Sequence, residues 1–166
     1  MSMNILIIGG AGREDALGSA IVQSPSCSHL AIAPGNAGTT RFGAERVLIA
    51  ATDVSALCEH AVHEKYDLVV VGPETALAAG IADMLRGSRI PVFGPDAAAA
   101  RVETSKKFAR EFMTARNIPQ PEYQVFSDHE AAVTFARAAF RNGNKGIVTK
   151  ADGLCGGKGV SVCDVI

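Results

Sequence analysis

Aromatic side chains are scarce in this sequence: it has no tryptophan, two tyrosines and 5% aromatics in all, and its longest basic run is the pair Lys106 and Lys107. Nucleic-acid recognition draws on basic stripes and stacking rings, so that class of partner is excluded. Cys27, Cys58, Cys155 and Cys163 include no C-x-x-C spacing. Neither a zinc ribbon nor a disulfide framework is indicated, and reduced thiols in a cytoplasmic setting are expected. The first apolar run, residues 5–8, lacks a basic stretch before it and is far too short for a signal core or a membrane span. Internal repeats and low-complexity linkers are also missing. What remains is a globular composition of 166 residues, 48% hydrophobic, with a net charge of −1, enough to bury a sizeable core. Charge is unevenly spread, with 7 basic and 10 acidic side chains in residues 1–102 against 9 and 7 in 103–166. The second part is the better host for an anionic ligand.

Short apolar runs at residues 4–8, 30–33, 67–71 and 90–93 read as strands. Between them, Val54, Leu57, Cys58, Ala61 and Val62 fall on one helical face, and Leu77, Ile81, Met84 and Leu85 repeat that spacing. Strands interleaved with helices predict right-handed crossovers and a parallel sheet covered on both faces, a Rossmann-like α/β domain over residues 1–102. Such sheets bind ligands beyond the carboxyl ends of their strands. The loops there are Gly9-Gly10-Ala11-Gly12-Arg13-Glu14, Pro34-Gly35-Asn36-Ala37-Gly38-Thr39 and Gly72-Pro73-Glu74. From residue 103 a second unit begins. Residues 96–102 read as helical, Ser105 as the cap of a helix ended by Pro119 and Pro121, residues 123–126 as a strand, and Ser127-Asp128-His129-Glu130 as a capping box. Residues 146–150 and 160–163 are expected to pair antiparallel.

The turn between that last pair, Lys150-Ala151-Asp152-Gly153-Leu154-Cys155-Gly156-Gly157-Lys158-Gly159-Val160, carries the clearest chemistry. Its glycines remove the Cβ atoms that would keep phosphates off backbone N–H groups, and Lys150 and Lys158 add positive charge. It is no P-loop, because Gly159 follows Lys158 where that motif needs Ser or Thr. The plain alternative is a flexible hairpin turn. The first loop is not a dinucleotide fingerprint either: Asp15 stands at the third glycine position, and no carboxylate closes the second strand. A glycine turn opening a helix still suits a phosphate, with Arg13 as second anchor. For Arg13 and Glu14 the alternative is a solvated first helical turn. Cys58, Glu59, His60, His63 and Glu64 include metal-capable side chains, but the apolar stripe takes Cys58 and the rest form a polar outer face. Cys155 reads as a small filler, and His29 and His129 as surface residues.

Six motifs occur in order: the three loops above, Phe93-Gly94-Pro95, Ser105-Lys106-Lys107-Phe108 and the glycine-rich turn. Together they resemble the phosphoribosylamine–glycine ligases, or glycinamide ribonucleotide synthetases, of the ATP-grasp superfamily. The resemblance implies a pre-ATP-grasp domain followed by an incomplete ATP-grasp α+β portion in residues 103–166. The reaction it implies joins glycine to 5-phosphoribosylamine with ATP and Mg2+ in de novo purine synthesis, through a glycyl phosphate. It gives Gly12, Arg13, Glu14, Asn36, Gly38 and Glu74 to the phosphoribosyl substrate. Lys106 and Lys150, with the lid residues Gly156, Gly157, Lys158 and Gly159, go to the nucleotide. The metal-binding carboxylates are expected outside this chain, so no metal residue is assigned and no turnover is expected of these residues alone. Two departures stand out: Asp15 replaces the family's usual His, and Cys155 and Gly156 stand where alanines are usual. Another ATP-grasp carboxylate–amine ligase and a non-catalytic nucleotide- or sugar-phosphate-binding module remain open alternatives.

Overall fold

In the computed structural model, which describes residues 2–164, the chain divides into two compact units between Arg101 and Val102. The first is built on five parallel strands: β1 (Met3–Gly9), β2 (Cys27–Pro34), β3 (Glu45–Arg46), β4 (Leu68–Val71) and β5 (Val92–Phe93). Their spatial order is β3-β2-β1-β4-β5. The chain moves one way from β1 to make β2 and β3, then returns to the other side of β1 for β4 and β5. The order therefore reverses between β1 and β4, which opens a crevice at the carboxyl ends of those two strands.

Alternation along β1 explains why the sheet is covered on both faces. Leu6 and Ile8 join Val69 and Val71 in a core closed by α2 (Val54–His63) and α4 (Ile81–Gly87), through Leu57, Ala61, Ile81 and Leu85. Ile5 and Ile7 point the other way, with Leu30, Ile32 and Val70, and are covered by Phe42 and by Ile21 of α1 (Gly12–Ile21). A near-continuous apolar run is what a strand buried on two sides requires. Each such side chain contributes about 1.5–3 kcal/mol by leaving water.

One strand of this unit goes unannounced in the sequence, and both expected helical stripes are corrected. β3 is a two-residue edge strand of exposed charged residues, without an apolar pattern to announce it. The stretch 77–85 is two helices, α3 (Glu74–Ala78) and α4, separated at Gly80, whose φ of +86° breaks the first helix. The apolar spacing runs across the break because Leu77 and Ile81 both reach the core, while Met84 does not and is exposed. Val62 likewise lies off the buried stripe, 51% exposed.

α5 (Ala97–Thr104) spans the division. The second unit then holds α6 (Lys106–Ala115), α7 (His129–Arg141) and the antiparallel pair β6 (Ile147–Lys150) and β7 (Val160–Cys163). Ser105 caps α6 by accepting the Phe108 N–H at 3.1 Å. α6 stops at Arg116, with Asn117 left-handed at φ +53°, ahead of the prolines expected to end it. Residues 118–126 are irregular where a strand was expected at 123–126; Gln120 instead bonds back to Arg110 and Tyr123 to Thr114. The cap of α7 is Asp128, which accepts from the Ala131 N–H at 2.8 Å, and not Ser127. None of the described residues of this unit is buried. Among the described residues no helix is long and apolar enough to cross a membrane.

Candidate functional site

Three loops gather at the crevice of the first unit. β1 ends at Gly9, whose φ of +136° turns the chain away from the sheet. The Gly9 carbonyl accepts from the Gly35 N–H at 3.1 Å, and the Gly10 carbonyl accepts from Asn36 Nδ2 at 3.1 Å. A Cβ on Gly10 would stand 2.8 Å from the Gly35 carbonyl oxygen, so the two loops touch through bare backbone. Asn36 also shapes its own loop: its Oδ1 accepts from the Gly38 N–H at 2.6 Å, and its N–H donates to the buried Thr39 hydroxyl at 3.0 Å. Gly12 opens α1 and faces open space.

Glu14 fastens this loop to the third one. It is 1% exposed; Oε2 accepts from the Ala11 N–H at 2.8 Å and Oε1 from Arg13 Nε at 2.8 Å. Its carboxylate lies so close to Gly9 and Gly72 that a Cβ on Gly72 would approach it to 2.1 Å. Burial works to raise the Glu14 carboxyl, but the Arg13 guanidinium and the Ala11 amide outweigh it and hold it below the ordinary carboxylate value. This corrects the solvated-turn picture for Glu14. With both oxygens engaged inward, it shapes the loops. Arg13 is the exposed member, its Nη2 3.8 Å from Glu74 Oε2 at the start of α3. Arg13, Glu14 and Glu74 are thus one cluster drawn from two loops.

Asp15 faces the second loop. A Cβ on Gly38 would meet its Oδ2 at 2.7 Å, and its Oδ1 is buried with no hydrogen-bond partner among the described residues. The carboxylate does not point away, as a phosphate nearby would favour.

In the second unit the glycine-rich turn closes on itself: the Ala151 N–H donates to the Gly159 carbonyl at 2.8 Å and the Lys158 N–H to the Cys155 carbonyl at 3.0 Å. Gly153, Gly156 and Gly157 have φ values of +84°, +55° and +77°, which side chains other than glycine's rarely adopt. A Cβ on Gly156 or Gly157 would meet nothing, so that rim is open. Cys155 packs against Gly159, where a Cβ would come within 2.7 Å of its sulfur, in keeping with a filler. Lys150 and Lys158 are exposed, and Lys106 Nζ donates to the Gly153 carbonyl at 2.7 Å. The reading of spacing missed Asp152, whose carboxylate bonds to Ser105 and Lys107; the one signal available was its place between Lys150 and the first glycine. Bare amides and unneutralised ammonium groups fit a polyphosphate. For a divalent cation the donors do not fit: among the described residues no group of three or more His, Cys, Asp or Glu is placed to hold a metal ion. His60 instead meets Tyr66, and His63 pairs with Glu64.

Comparison with known proteins matches residues 3–103 to the family model for phosphoribosylglycinamide synthetase, N domain, and residues 104–165 to that for its ATP-grasp (A) domain. The chain is 48% identical over 163 residues to the phosphoribosylamine–glycine ligase of Yersinia pestis and 46% identical to that of Haemophilus influenzae. In each case 96% of this chain aligns, and it spans 37% of the relative's length. Among solved structures, it resembles the biotin carboxylase domain of Hydrogenobacter thermophilus 2-oxoglutarate carboxylase, crystallised with ADP and bicarbonate. The TM-score is 0.71 and the identity 14%, over 99% of this chain and 38% of that one. N5-carboxyaminoimidazole synthetase from Staphylococcus aureus, complexed with ADP, gives 0.66 and 16%, over 99% and 41%. At such identities the likeness is one of fold.

Proposed function

This chain belongs to the phosphoribosylglycinamide synthetase family, and on that premise we propose that it carries the phosphoribosyl-binding unit and the opening part of the nucleotide-binding domain of an ATP-dependent ligase. The reaction joins glycine to 5-phosphoribosylamine and releases glycinamide ribonucleotide, ADP and phosphate, in the cytoplasm and with small molecules as its partners. One observation carries the reading: three loops converge at the point where strand order reverses, with Arg13 held between Glu14 and Glu74.

Within this reading the sugar phosphate lies over Gly12 at the amino end of α1, where free N–H groups and the helix dipole favour an anion, with Arg13 as its cationic neighbour. Asn36 and Gly38 form the opposite wall. Glu74, partly exposed, offers an acceptor to a sugar hydroxyl or to the amine. Lys106 and Lys150 stabilise phosphate charge as preorganised cations. Gly156, Gly157, Lys158 and Gly159 cover the nucleotide and keep water from a reactive acyl group. ATP supplies the phosphoryl group that turns a carboxylate into an electrophile. Donors for a divalent cation are lacking among the described residues.

Calorimetric titration of this chain with ribose 5-phosphate and, separately, with ATP tests the proposal. Each ligand is expected to bind, and saturation with one is expected to leave a site for the other. Heat changes absent for both would reject it.

A further inference from the structure

α6 begins with Lys106, and its first backbone donors have no carbonyls of their own helix to meet. One of them, the Phe108 N–H, is taken by the Ser105 hydroxyl oxygen. The same hydroxyl then donates its own proton to Asp152, 3.2 Å from Oδ1 and 3.3 Å from Oδ2. Asp152 Oδ1 accepts the Lys107 N–H as well, at 3.2 Å. In the other direction Lys106 Nζ donates to the carbonyl of Gly153, the residue after Asp152. Two adjacent residues of the glycine-rich turn thus receive three donors from three adjacent residues at the amino end of α6.

We propose that Asp152 is the positioning residue of this turn: its carboxylate fastens the turn's first residues to α6, and in doing so sets the Lys106 ammonium at the turn's edge. Asp152 itself touches no ligand in this account. Lys106 donates to a neutral carbonyl, so its positive charge is left uncancelled for an anion. Asp152 meets its partners from the helix end, and the Lys107 amide foremost holds its carboxyl below the ordinary aspartate value. The contact is exposed and confined to two residues of the turn, which suits an attachment that lets the open rim at Gly156 and Gly157 move while its stem stays put. Without the carboxylate the Ser105 hydroxyl still caps α6, so the helix is expected to survive.

The role in nucleotide binding rests on the reading given above, whereas the attachment does not, and two measurements separate them. The first is timed trypsin digestion of the 166-residue chain and its Asp152→Ala and Asp152→Asn variants, followed by mass. Cleavage after Lys150 and Lys158 is expected to quicken about tenfold in Asp152→Ala, the scale of a lost hydrogen bond to a charged group, with cleavage after Lys65 and Arg89 unchanged. Asp152→Asn, which keeps one acceptor oxygen, is expected to lie between. Equal rates at Lys150 and Lys158 in all three proteins would overturn the proposal. The second is calorimetry: ATP affinity is expected to fall about tenfold in Asp152→Ala while ribose 5-phosphate affinity holds. Undiminished ATP affinity in that variant would also overturn it. If the unaltered chain takes up no ATP yet the variant is cleaved faster, the attachment stands and the nucleotide assignment falls.

Discussion

In the first unit the carboxylate that fastens the loops, Glu14, is 1% exposed and wedged between two glycines, whereas the turn of the second unit is fastened by Asp152 at the surface. The surroundings differ in the same sense. Leu6, Ile7 and Ile8 are fully buried under helices on two faces, while no described residue beyond Arg101 is buried and Val162 is 75% exposed. Buried, interlocked loops present a fixed shape to a ligand. Surface polar contacts are individually weak and hold a segment that opens locally. On the proposed function, a sugar phosphate at the first place would meet a preformed wall, and a nucleotide at the second a segment able to close on it.

The comparison breaks most visibly at the core. Leu6→Ala is expected to cost about 3–5 kcal/mol, as cavity formation does in packed interiors, read as a lower urea midpoint. Gly72→Ala comes next: its Cβ would meet a buried carboxylate instead of a flexible surface chain, and overpacking of that kind costs about 1–3 kcal/mol. Ribose 5-phosphate affinity is expected to fall with it, ATP affinity to stay. Glu14→Gln should cost about 1–2 kcal/mol at neutral pH, the scale of a charged hydrogen bond whose partner is weakened. It also carries a pH signature. The folded carboxyl lies below its ordinary 4.5, so its contribution is full above that value and is lost as pH falls through the folded one. Urea midpoints measured from pH 6 to pH 3 are therefore expected to fall less steeply in Glu14→Gln; parallel slopes would remove Glu14 from the account. Phe135→Ala gives the smallest effect. That ring is 48% exposed and meets Phe126 at 5.2 Å, and its loss is expected to cost about 1 kcal/mol or less.

Much of the first unit was legible because its strands are apolar runs that bury both faces, and periodicity reads such runs directly. Glycines marked the loops for the same reason they serve there, since Gly9, Gly10 and Gly72 each leave room for a neighbouring backbone or for Glu14. Periodicity failed where backbone conformation, not burial, decided: Gly80 divides a continuous apolar pattern into two helices, and Glu45 and Arg46 form a strand with nothing apolar to show. In the second unit the cap passed from Ser127 to Asp128, because either side chain has the chemistry and only the geometry selects one. Residues 123–126 have strand-like composition but no neighbouring strand to pair with among the described residues. The solvated first turn offered as the alternative for Glu14 fails, since spacing does not reveal that a side chain turns back on its own loop. Asp152 escaped notice because its partners lie 45 and 47 residues earlier in the chain.

Crystals of this chain soaked with ribose 5-phosphate test the central claim most directly. The account predicts density for the sugar phosphate among the loops after β1, β2 and β4, with its phosphate over Gly12 and within reach of Arg13, and Glu14 unmoved beneath it. Unchanged density at those loops at saturating ligand, or binding elsewhere on the chain, would contradict it.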